Sequence, residues 1–80
     1  MSRVEFGLPS LGHTMEEAVI LRWGKESGEE ISQGDFLVEV ETDKVDVEIK
    51  SPVSGRLIER LAEVGDTCPV GRVIAVFETD

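Results

Sequence analysis

One cysteine and one histidine in 80 residues leave no material for an internal disulfide, a cysteine-rich metal site, or the constellation of a zinc enzyme or serine hydrolase. Cations are scarce as well. Eight Lys and Arg stand against seventeen Asp and Glu, and the resulting net charge of -9 repels phosphate backbones and anionic lipid head groups. Nucleic acid and membrane surfaces are therefore poor partners. No apolar run approaches the roughly 18 residues of a membrane span, and the polar N-terminus MSRVEFGLPS has no signal-peptide core. The expected location is the cytoplasm, or the mitochondrial matrix of a eukaryote. A chain of this length forms one domain, residues 1–80, burying about 60% of its unfolded surface, so any function has to sit on its exterior.

Short stretches rich in Val, Ile, Leu and Phe are separated by Gly and charged residues at the intervals of an all-β sandwich or barrel. The runs are 4–8, 18–23, 36–41, 45–49, 55–61 and 73–78. Strict alternation predicts that Phe36, Val38 and Val40 face inward with Glu39 and Glu41 outward, and likewise Val45, Val47 and Ile49 inward with Asp46, Glu48 and Lys50 outward. Pro9, Pro52 and Pro69 fall outside the runs, where a missing amide removes no ladder hydrogen bond.

An internal repeat organises these strands. A shift of 37 superposes residues 18–43 on 55–80 without a gap, and makes Glu26/Glu63, Gly28/Gly65, Gly34/Gly71, Glu41/Glu78, Thr42/Thr79 and Asp43/Asp80 identical. Ordinary composition gives roughly one or two such matches. The strand preceding each half matches at a shift of 43, setting Val4-Glu5-Phe6 on Val47-Glu48-Ile49 and Pro9 on Pro52. The first half thus carries six additional residues, in the loop SLGHTMEE. Two half-domains sharing one core and related by a two-fold axis across the strands are expected. That axis places the hairpin tip at Thr42-Asp43-Lys44-Val45 opposite the chain ends, with the loop 10–17 at the tip's end.

The tip reverses the chain with neither Gly nor Pro, as a type I turn centred on Asp43 and Lys44 allows. An amine on such a tip is open to covalent modification. The plainer reading is a solvated lysine interrupting an acidic surface, and spacing alone leaves both open.

The segments PSLGHTMEEAVILRW, GEEISQGDFLVEVETDKVDVEIKSPVSG and VGDTCPVG resemble the lipoyl domain of 2-oxo acid dehydrogenase acyltransferase subunits, within the wider biotinyl/lipoyl attachment family. The resemblance spans nearly the whole chain and rests chiefly on the E-T-D-K hairpin followed by S-P-x-x-G. It implies a flattened barrel of two four-stranded antiparallel sheets, and a non-catalytic carrier whose Lys44 bears lipoic acid in amide linkage. Such an arm accepts an acyl group and two electrons at one enzyme and surrenders them at others. The implied partners are a lipoate-protein ligase or lipoyl transferase, a thiamine-diphosphate-dependent decarboxylase, the acyltransferase core and dihydrolipoamide dehydrogenase. The isolated domain is expected to be a monomer. The family usually continues through a flexible linker beyond the last strand, so an excised domain is implied. Amidation of Lys44 would take the net charge from -9 to -10.

Around Lys44, the flanking Glu41, Thr42, Asp43 and Val45 are candidates for recognition by a modifying enzyme, Asp43 above all because it adjoins the acceptor. Glu39, Asp46 and Glu48 extend the acidic surface, where solubility is the simpler role. In the inserted loop, Leu11, Gly12, His13, Thr14, Met15, Glu16 and Glu17 are candidates for contact with the decarboxylase, by the resemblance. Gly28, Gly34, Gly55, Gly65 and Gly71 read as turn residues. Cys68 aligns with Ile31 in the repeat and reads as core filling, while Trp23 follows Val19 and Leu21 at strand alternation and reads as core packing, with its repeat partner Arg60 pointing to one exposed edge. A biotin carrier is the nearest alternative, but that family typically flanks its lysine with methionines, where Asp43 and Val45 stand here. A glycine-cleavage-type lipoyl carrier and an unmodified interaction module complete the alternatives, and intact mass separates the modified from the unmodified cases.

Overall fold

A computed structural model of the chain describes residues 2–10 and 16–79. It contains eight strands: β1 (Ser2–Gly7), β2 (Glu17–Trp23), β3 (Glu30–Ile31), β4 (Phe36–Glu41), β5 (Asp46–Lys50), β6 (Gly55–Arg60), β7 (Thr67–Pro69) and β8 (Val73–Thr79). They form two four-stranded sheets in the orders β1-β8-β6-β3 and β5-β4-β2-β7, with antiparallel pairing throughout. The expected all-β architecture is the one observed. Strands β3 and β7, of two and three residues, are too short for hydrophobic alternation to reveal.

The repeat maps one sheet onto the other, strand for strand: β1 on β5, β8 on β4, β6 on β2 and β3 on β7. The loop hydrogen bonds obey the same shifts. The amide of Gly28 donates to the Leu57 carbonyl at 2.7 Å and that of Gly65 to Ile20 at 2.8 Å. Gly34 donates to Ser51 at 3.0 Å and Gly71 to Leu8 at 2.9 Å. Those four glycines have φ between 93° and 95°, a region where a Cβ is unfavourable, so each half uses glycine at the same two turns. Gly55 departs from the expectation. It lies inside β6 without a positive φ, and a Cβ there would collide with the Glu78 carbonyl of β8, so close approach of strands is what excludes a side chain.

Between the sheets, Leu8, Ile20, Leu37, Val38, Val40, Leu57, Ile74 and Phe77 are fully buried or nearly so. Phe77 meets Phe6 edge to face, with ring centroids 6.3 Å apart. Two predicted inward residues are elsewhere. The ladder shifts register between Phe36 and Val38; Leu37 and Val38 are both buried, and Phe36 is only half-buried, beneath the Arg22 guanidinium at 4.5 Å. Val45 lies beyond the end of β5 and is 59% exposed, because the ladder has already ended at Asp46. Trp23 has the expected half-wet setting. Its indole N–H donates to the Ala62 carbonyl at 3.0 Å while the Arg60 guanidinium lies 5.6 Å from the ring centroid.

Cys68 is fully buried in β7, as core filling requires. Burial pushes its thiol pKa up, Arg72 opposes the shift and Asp66 adds to it. The folded state thus favours the protonated thiol. This contribution is complete below the unfolded value near 8.5 and is lost as pH rises through the higher folded value. Denaturant midpoints of the native chain should therefore fall more between pH 7.5 and 9.5 than those of a Cys68→Val variant. An equal fall in both would remove Cys68 from the pH dependence.

Candidate functional site at the β4–β5 hairpin

The register places the tip unambiguously. Strand β2 pairs with β4 so that Val19 faces Glu41, and with β7 so that Glu17 faces Pro69. The β7–β8 turn then returns the chain to β8, which begins at Val73 opposite Gly7 and runs away from the tip to Thr79, paired with Ser2. The hairpin and the start of β2 therefore share one end of the domain, and Ser2 with Thr79 marks the other. Glu16 and Glu17 lie exposed at the hairpin's end, with the Glu16 carbonyl accepting from the Val70 amide at 2.9 Å. The candidates Leu11, Gly12, His13, Thr14 and Met15 lie outside the described residues.

At the tip itself, Asp43, Lys44 and Val45 are exposed and Thr42 is half-buried. No non-glycine residue among those described has a positive φ, as the type I expectation required. The closure of the turn is less simple than that expectation. The Thr42 amide donates to the Val45 carbonyl at 2.9 Å, and the Thr42 hydroxyl donates to the same oxygen at 2.8 Å. In return Thr42 Oγ1 accepts from the amides of Val45 at 3.1 Å and Lys44 at 3.3 Å. A threonine side chain here stands in for a backbone acceptor, which is how the chain turns without glycine. The signal in the sequence is a Thr opening a polar turn that lacks Gly and Pro.

Just below the tip, Glu39 and Glu48 are direct cross-strand partners, an arrangement of like charges that opposes pairing. Arg22, opposite Glu39 on β2, bridges them, with Nε 2.7 Å from Glu39 Oε1 and Nη2 3.3 Å from Glu48 Oε2. These two carboxylates are engaged in holding three strands together, which alternation did not reveal. Glu41, Asp43 and Asp46 make no ion pair among the described residues, nor does Lys44. A free primary amine thus projects from a convex turn with acidic neighbours. A cleft of about 510 Å³ lies instead beside Trp23, Ser27, Arg60 and Val64, at the end of β2 remote from the tip. With no enclosing walls among the described residues, the tip suits a group held covalently at Lys44 better than one held by surrounding contacts.

Residues 4–77 match the biotin/lipoyl family described as "Biotin-requiring enzyme". The dihydrolipoyllysine-residue succinyltransferase component of the 2-oxoglutarate dehydrogenase complex of Bartonella vinsonii subsp. berkhoffii is 43% identical over 92% of this chain. The corresponding acetyltransferase component of the pyruvate dehydrogenase complex of Corynebacterium glutamicum is 47% identical over 85%. The chain spans 18% and 10% of the lengths of those two proteins. Among solved structures, the lipoyl domain of the 2-oxoglutarate dehydrogenase complex of Azotobacter vinelandii superposes with a TM-score of 0.79, covering 95% of this chain and 96% of that one at 24% identity, which establishes the fold.

Proposed function

The chain belongs to the biotin/lipoyl attachment family, and from that membership we propose that it is a lipoyl carrier whose Lys44 bears lipoic acid in amide linkage. The observation that carries this reading is the Lys44 amine itself, exposed, outside every ion pair among the described residues, and mounted on a turn whose own side chain fastens it. Attachment joins Nζ to the lipoyl carboxyl carbon as an amide, with loss of a proton from the amine and of the activating group from the acid. Once attached, the dithiolane supplies the acyl- and electron-accepting chemistry. What the protein supplies is position. The two sheets hold the hairpin rigid, the convex tip lets the arm enter another protein's active site, and tethering raises its effective concentration there.

The relatives support a 2-oxo acid dehydrogenase complex as the setting, with a lipoyl-attaching enzyme, a decarboxylase, an acyltransferase core and dihydrolipoamide dehydrogenase as successive partners. The cytoplasm, or the matrix of a mitochondrion, is the matching compartment. Asp43 and Val45 beside the lysine, in place of methionines, favour lipoate over biotin.

Produced with lipoate and a lipoate-protein ligase, the chain should gain a single lipoyl group, and peptide mapping should place it on Lys44. A biotinyl group, or a lipoyl group on Lys25 or Lys50, would overturn the assignment.

A further inference from the structure

We propose that Thr42 is a positioning residue for Lys44, acting through the turn and not by touching the enzymes that read it. This inference rests on lipoylation at Lys44. A hydroxyl has one hydrogen to donate and two lone pairs to accept with. In Thr42 all three are used inside the turn: the hydrogen on the Val45 carbonyl, the lone pairs on the amides of Lys44 and Val45. Nothing remains of that hydroxyl for a partner. The backbone of Val45 is thereby fixed at both its N–H and its carbonyl, and Lys44 is caught between Thr42 and Val45 with its own amide tied. Asp43, by contrast, takes part in none of these bonds. The side chain that sets the direction in which the amine leaves the tip is therefore two residues away from it.

Thr42→Val keeps the branched shape and half-burial but removes the donor and both acceptors, while Thr42→Ser keeps them and removes a methyl group. In a ligase time course on the 80-residue chain, Thr42→Val should lose roughly tenfold in kcat/KM for Lys44 modification, mostly in kcat, because the amine still reaches the enzyme but is misaligned within it. Thr42→Ser should stay within about twofold of the native chain. Amide hydrogen exchange gives a readout independent of the ligase. The Lys44 and Val45 amides should be protected in the native and Ser chains and exposed in the Val chain.

Native Lys44 and Val45 amides exchanging as fast as an unstructured peptide would overturn the proposal without any variant. Equal modification rates for the native and Val chains would overturn it too, as would a Ser chain as slow as the Val chain, since the methyl group would then be what is read. A native chain that takes no lipoyl group at all would instead sink the assignment of function, and the exchange data would still report on the turn.

Discussion

Exchanging Asp43 and Lys44 should leave a stable domain that a lipoyl-attaching enzyme barely modifies. The exchange preserves net charge and length and touches no buried residue, because both positions are exposed. Neither position needs a positive φ, and exposed substitutions away from special geometry shift stability by within about 0.5 kcal/mol. Yet the amine would now leave from a residue that the Thr42 hydroxyl does not hold, and from the other side of the turn. A displacement of about an ångström at a reacting atom costs on the order of a hundredfold in rate, so a loss of that size is expected. The measurement pairs a circular-dichroism melt with a ligase time course, and Lys44→Arg serves as the zero. Efficient modification at position 43 would mean that the enzyme asks only for an exposed lysine.

The second large effect is on stability. Phe77 is fully buried in β8, between its neighbours β1 and β6, and its ring meets Phe6. Phe77→Ala removes a ring from the centre of a core that 80 residues can only make modest, at about 3–5 kcal/mol for the lost transfer energy and the cavity left behind. A domain of this size has on the order of 4–12 kcal/mol in all, so the variant should give up between about a quarter and all of its stability. Urea denaturation of the two chains measures the difference. A loss of only about 2 kcal/mol would mean that the two sheets close over the vacated space and leave the transfer cost alone.

The fold could be read from the sequence because it is written twice. Each half carries the same glycine pair and the same apolar pattern in its longer strands, while β3 and β7, of two and three residues, escaped both periodicity and the repeat. Local exceptions escaped because they depend on contacts across strands. Alternation put Phe36 inward, but the register shift beside Val38 leaves it outside, where Arg22 covers it. It also put Val45 inward, though the last ladder pair is Glu41 with Asp46. Gly55 looked like a turn residue until the approach of β8 was seen. At the tip, the exposure of Lys44 was legible from its place in the hairpin, whereas its modification was implied only by the family resemblance. The hydrogen bonds of the Thr42 hydroxyl were not legible, since bonds inside a turn leave no periodic trace. Glu39 and Glu48 read as part of a solvated acidic surface, and Arg22 instead claims them both.

The two-fold relation between the halves has a mechanical consequence. Because Ser2 and Thr79 pair at one pole and Lys44 stands at the other, whatever pulls on the chain ends is separated from the lysine by the length of the sheet. A strand of six residues such as β4, at about 3.3 Å per residue, makes that separation roughly 20 Å. The domain is then a rigid segment in series with the flexible side chain it carries. It sets the paired ends and the lysine on opposite poles of the fold.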